Sequence, residues 1–133
     1  MLNRLAACVS CVRAAATGDY IKKSLDHVRV RIEPVELQRF ADAYDAFYAY
    51  VDERIAGQGA GVARVTTEQL TAAPERALRR VHEALGVRHE PPVASVVKDV
   101  PRQTWSPLCA AIVNFHELRQ AFVGTDLEAD FRS

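Results

Sequence analysis

The chain has 133 residues, of which 49% are hydrophobic and 26% are charged, so it has the length and composition of one folded domain over residues 1–133. Lysine plus arginine equals aspartate plus glutamate at 17 each, which excludes the basic surplus of a general nucleic-acid-binding protein. No apolar run approaches the roughly 20 residues of a membrane-spanning helix. Three cysteines and no recognisable secretory signal favour a reduced, cytoplasmic setting.

The first predicted element is a helix over residues 2–16, which ends at Thr17 and Gly18. Its apolar residues recur every three or four positions: Leu2, Leu5, Val9, Val12 and Ala16. Asn3 and Ser10 lie seven residues apart on the opposite side of this helix. Cys8 and Cys11 share a helix face, but no second pair of ligands stands at zinc spacing, so we interpret them as ordinary helix cysteines and expect no metal.

Residues 28–32 alternate strictly between valine or isoleucine and arginine, which predicts a half-exposed strand or extended segment. Pro34 then begins the longest predicted helix, over residues 34–56. One stripe of this helix is apolar and rich in aromatic residues: Leu37, Phe40, Tyr44, Phe47, Val51 and Ile55.

Glycines 57, 59 and 61 form a turn, and residues 62–66 are short, mostly apolar and partly β-branched, which predicts a buried strand. The glycines follow a helix and precede a strand, which is the reverse of the order in a phosphate loop. A polar loop then leads to a helix that Pro74 begins and Gly86 ends. The last predicted helix spans residues 106–122, and a charged tail follows Gly124.

Three segments of the chain, in the same order, resemble a known family. The first runs from Asn3 to Gly18 and includes Ser10. The second runs from Val65 to Gly86 and contains the short motifs Pro74-Glu75 and Leu78-Arg79-Arg80-Val81. The third combines Val97-Lys98 and Pro101-Arg102 with Ile112-Val113-Asn114 and Gly124-Thr125. Together they are similar to sulfotransferases of the bacterial carbohydrate type, which use the donor 3′-phosphoadenosine 5′-phosphosulfate (PAPS).

The resemblance implies a helix-rich α/β fold, a three-layer arrangement related to the P-loop kinases. The family's first strand and phosphate loop have no counterpart in these residues, so the chain resembles the C-terminal half of such a domain. Ser10 would contact the 3′-phosphate of PAPS, and Lys98 and Arg102 would lie near it. The family's partner arginine falls on Met1, which leaves Arg4 and Arg13 as the nearest substitutes.

The expected function is therefore transfer of a sulfuryl group from PAPS to a hydroxyl of a carbohydrate or other small acceptor. The resemblance assigns no catalytic base, and we expect the chain to be incomplete as a catalyst. A second copy, pairing with the open edges of strand 62–66, or a completing partner chain could supply the rest. The alternative is a non-catalytic helical interaction module, derived from a sulfotransferase, in which helix 34–56 docks a partner.

Overall fold

The computed structural model describes residues 3–18, 25, 27–59, 62–88 and 107–132. They form six α-helices and one 3₁₀ helix: α1 (Arg4–Thr17), α2 (Pro34–Ala56), α3 (Thr67–Ala72), α4 (Pro74–Leu85), α5 (Leu108–Ala111), α6 (Phe115–Ala121) and the 3₁₀ helix Asp126–Arg132. Within those ranges there is no strand and no sheet, so the prediction of a three-layer α/β sulfotransferase fold is wrong.

The chain divides into two compact units, one made of residues 1–48 and 102–133 and the other of residues 49–101. The first unit holds α1, most of α2, α5, α6 and the 3₁₀ helix, and the second holds the end of α2 together with α3 and α4. We expected a single domain over residues 1–133, and the division into two compact units does not test that prediction.

The predicted strand at residues 62–66 is absent because nothing pairs with it. This segment has extended backbone, as its sequence favours, but makes no ladder of backbone hydrogen bonds with any described residue. Val62 at its start is 49% exposed rather than buried. The strand edge that we expected to pair with a second copy is therefore not present in this part of the chain.

The core of the first unit is built from aliphatic and aromatic side chains of every helix in that unit. Its fully buried large members are Leu5, Ile32, Leu37, Ile112, Leu118 and Leu127. The 3₁₀ helix, which the sequence suggested was only a charged tail, packs on α1 and contributes Leu127 and Phe131 to this core. Burial of those two side chains explains why the segment is ordered against α1.

An isolated parallel bridge between Val30 and Ile112 links the extended segment after α1 to the last helices. The N–H of Val113 donates to the carbonyl of Val30 at 2.8 Å. The buried side chain of Asn114 continues this pairing: its Oδ1 accepts from the Ile32 N–H at 3.2 Å, and its Nδ2 donates to the Ile32 carbonyl at 2.9 Å. One amide side chain thus takes the place of a further strand residue.

The same bridge splits the helix predicted over residues 106–122 into two. Ile112 leaves the helix with φ −107° and ψ 123°, values of extended backbone, and α6 begins three residues later. The prediction of one continuous helix was wrong here because the hydrogen bonds to Val30 replace helical ones.

The other helix boundaries follow local signals. Gly18 and Gly86 end α1 and α4 in the left-handed conformation, at φ 70° and φ 66°, and Pro74 occupies the first turn of α4, as predicted. The segment expected to be a polar loop contains α3, which begins with a capping box: the Gln69 N–H donates to the Thr66 hydroxyl, and the Gln69 side chain accepts from the Thr66 N–H.

Candidate functional site

Helix α1 carries the residue that the sequence singled out most clearly, Ser10. Asn3 caps this helix, since its Oδ1 accepts from the Ala6 N–H at 2.8 Å. Two turns later Ser10 is exposed, and its hydroxyl has no hydrogen-bond partner among the described residues. A free hydroxyl on an exposed helix face can donate to a phosphate oxygen without first breaking an internal contact.

Arg13 follows Ser10 by three positions and therefore lies about one turn further along the same side of α1. The residue is buried, with 8% of its surface exposed, and its Nε donates to the carbonyl of Val28 at 2.7 Å. Its Nη2 is buried and has no hydrogen-bond partner in the described part of the chain. A guanidinium nitrogen in that state carries an unmet desolvation penalty that an anion could offset.

Arg4 lies in the first turn of α1, and its side chain is only 5% exposed. It is held by three carboxylates from two other elements. Nη1 donates to Asp45 of α2 and to Asp126 of the 3₁₀ helix, both at 2.8 Å, and Nε donates to Asp130 at 2.9 Å. Nη2 also donates to the Asp126 carbonyl at 3.0 Å. We call Arg4, Asp45, Asp126 and Asp130 the Arg4 cluster.

The Arg4 guanidinium uses four of its five N–H donors within this cluster. Burial alone would lower the pKa of Arg4, but hydrogen bonds to Asp126, Asp130 and Asp45 outweigh it, so the pKa is raised. In return, the hydrogen bond from Arg4 lowers the pKa of Asp126 below the usual value of an aspartate. Arg4 therefore does not act as the substitute for the family's phosphate-binding arginine in this structure.

The two secondary site residues, Lys98 and Arg102, lie outside the described residues, as does Met1. The structure thus places only Ser10 among the three sequence-predicted donor contacts, and it does not bring that residue together with the other two.

The paired cysteines of α1 are in different environments. Cys8 is buried, and burial, with contributions from Cys11 and Glu36, raises the pKa of its thiol to about 11. Cys11 and Cys109 are exposed, and all three thiols are free. In the part of the chain that the structure describes, no three histidine, cysteine or acidic side chains group together as metal ligands would.

No family model, curated protein or solved structure matches this chain. The described helices include none that combines the length and the apolar character needed to cross a membrane.

The second unit has a wide cavity, open to solvent, beside the first turns of α4. Its volume is about 870 Å³, and the described residues that line it run from Ala73 to Arg76 and include Arg79 and Arg80. In the sequence, Arg79 and Arg80 drew notice only as part of the resemblance to a family, and Arg76 drew none. Their spacing of three and four residues was the signal that could have placed them on one face of a helix.

The first unit also exposes an aromatic ladder on α2, formed by Phe40, Tyr44, Phe47 and Tyr48. Ring centroids are 6.0 Å apart for the first pair, 4.7 Å for Tyr44 and Tyr48, and 5.5 Å for Phe47 and Tyr48. Phe40 packs against the core, whereas Phe47 is 59% exposed. The stripe predicted to be apolar thus faces the core only at its beginning.

Proposed function

We propose that this chain is a sulfotransferase-like protein that binds the adenosine bisphosphate part of PAPS, with Ser10 as a contact to the 3′-phosphate. The observation that carries the proposal is the unpartnered Ser10 hydroxyl one turn before Arg13, whose buried Nη2 is also unpartnered. A hydroxyl donor and a cationic donor within one turn of a helix suit a phosphate monoester. Because the Arg13 Nη2 is closed to solvent in this structure, its side chain must turn outward to reach a phosphate bound at Ser10. Binding at this position would serve sulfuryl transfer to a hydroxyl acceptor, with a carbohydrate as the proposed acceptor class.

The commitment of Arg4 to three carboxylates supports assigning the cationic contact to Arg13 instead. The three free thiols support placing the protein in the reducing cytoplasm. Lys98 and Arg102, which this structure does not describe, are the proposed secondary contacts to the donor. We propose that a completing partner chain supplies the contacts to the 5′-phosphosulfate.

The test is calorimetric titration of the full chain with 3′,5′-adenosine bisphosphate, with adenosine 5′-monophosphate as the ligand that lacks the 3′-phosphate. We expect saturable binding of the bisphosphate that is weakened about 10- to 150-fold in Ser10→Ala, because one hydrogen bond to a charged group is worth about 1.5–3 kcal/mol. Cys11→Ala is the matched control, since Cys11 is exposed on the same helix. Equal binding of both nucleotides, or equal losses in both variants, would contradict the proposal.

The aromatic ladder favours a second candidate, a non-catalytic helical module that associates with a second copy of itself. Exposed aromatic rings on one helix are self-complementary, and two-fold dimers are the commonest protein assemblies. Sedimentation equilibrium at micromolar concentration would show a dimer that Phe47→Ser converts to monomer. Val35→Ser is the control, because Val35 is 63% exposed on the same helix and makes no ring contact. A monomer for the unmodified chain would exclude this candidate.

A further inference from the structure

Helix α4 presents three arginines at positions i, i+3 and i+4, and all three line the cavity beside its first turns. Arg76, Arg79 and Arg80 are exposed, and none has a hydrogen-bond or ion-pair partner among the described residues. Glu75 and Glu83 each stand four residues from Arg79, the spacing at which helix ion pairs form. Neither carboxylate lies within ion-pair distance of it.

Three like charges on one helix face are unfavourable by themselves. Each like-charge pair at this spacing destabilises an isolated helix by about 0.2–0.5 kcal/mol. The cluster is therefore not explained by the stability of α4. Unpaired guanidinium groups around one cavity are, by contrast, the arrangement that binds phosphate or sulfate, because each guanidinium can donate two parallel hydrogen bonds to such a group.

We propose that Arg76, Arg79 and Arg80 form a binding site for a small ligand that carries phosphate or sulfate groups. A single tetrahedral anion can accept the six hydrogen bonds that three guanidiniums donate two at a time, so the site suits one such group or two neighbouring ones. The cavity is open to solvent and offers about 870 Å³, so there is room beside the arginines for the organic part of such a ligand. The site lies in the second unit and shares no residue with the Ser10 site.

The test is calorimetric titration of the full chain with two probes, inorganic pyrophosphate and a disaccharide bearing two sulfates. We expect saturable binding with one site per chain, which weakens as salt is raised, since the contacts are exposed to solvent. Each single substitution of arginine by glutamine should weaken binding roughly fivefold, and the triple variant should abolish it. Glutamine keeps helix propensity, so a circular dichroism spectrum unchanged from the original should accompany each loss.

Two controls make the result specific. Arg39→Gln removes an equally exposed arginine from α2 in the other unit and should leave the titration unchanged. Ser10→Ala should also leave pyrophosphate binding unchanged, which separates this site from the proposed donor site. Absence of binding by both probes, binding that survives the triple variant, or an equal loss in Arg39→Gln would overturn the proposal.

Discussion

The Arg4 cluster provides the sharpest test of how this fold is held together, through the substitution Arg4→Met. Methionine keeps most of the volume but leaves the Asp130 carboxylate, only 15% exposed, without its cation. Removing one partner of a buried ion pair costs about 3–5 kcal/mol. We expect a loss near 3 kcal/mol, because Asp45 and Asp126 are half or more exposed and can be rehydrated by solvent.

A loss of that size is a large part of the roughly 5–15 kcal/mol that stabilises an ordinary domain. Urea unfolding followed by circular dichroism would measure it as a lower midpoint, and thermal unfolding as a fall of about 10 °C. Arg31→Met is the matched control, because the Arg31–Glu33 ion pair has the same 2.8 Å distance but both side chains are more than half exposed. We expect no measurable change in the midpoint for that variant.

The contact between Arg4 and Asp126 also sets the sign of the pH dependence of stability. The hydrogen bond from Arg4 lowers the pKa of Asp126 in the folded state, so this carboxylate stabilises the fold above its unfolded pKa of about 3.9. That stabilisation is lost as pH falls through the lower folded value. Wild-type stability should therefore fall below about pH 4 more steeply than that of Arg4→Met.

Two outcomes would refute this account of the cluster. The first is an unfolding midpoint for Arg4→Met that equals the midpoint of Arg31→Met. The second concerns Asp130→Leu made in the Arg4→Met background. If the unpaired carboxylate is the source of the loss, removing it should restore part of the stability. A further loss would mean that packing of the Arg4 side chain, not its charge, stabilises this region.

Three other predictions test particular contacts. Asn114→Leu should lower the free energy of unfolding by about 2 kcal/mol, because it leaves the buried backbone N–H and carbonyl of Ile32 unpaired. Urea unfolding would show this as a lower midpoint, and an unchanged midpoint would contradict that pairing. Thiol labelling at pH 8 should rapidly modify Cys11 and Cys109 but not Cys8, which should react only after unfolding, so three rapidly labelled thiols would contradict its burial. Gly86→Ala should destabilise the chain by about 1–2 kcal/mol in thermal unfolding, because alanine is strained at φ 66°, and a stabilised variant would refute that conformation.

Features set by neighbouring residues could be predicted from the sequence. The long helix α2 was predicted with its observed bounds, Pro34 to Ala56, because its apolar stripe and its starting proline are local signals. The ends of α1 and α4 were predicted from Gly18 and Gly86, since only glycine adopts their left-handed conformation without strain. None of these predictions required knowledge of what the helices pack against.

Features that depend on distant partners could not be predicted in the same way. The β-branched run at residues 62–66 favours extended backbone, but a strand exists only when another segment completes its hydrogen bonds. The opposite error occurred at Ile112, where periodicity predicts a helix and pairing with Val30 imposes extended backbone. The contacts of Asn114 with Ile32 span 82 positions, so no local pattern could have indicated them.

The difference between local and distant contacts also matters at the candidate site, because distant contacts decide which arginine is available to a phosphate. From the sequence alone, Arg4 and Arg13 were equally good substitutes for the arginine that the family resemblance places at Met1. The carboxylates that hold Arg4, however, come from 41 to 126 positions away. Releasing Arg4 toward a phosphate would forfeit about 3–5 kcal/mol, whereas one charge-assisted hydrogen bond returns about 1.5–3 kcal/mol. Arg13 has one unmatched donor already, so turning its buried guanidinium toward a phosphate near Ser10 would break one hydrogen bond, to Val28, whereas Arg4 would have to leave three carboxylates.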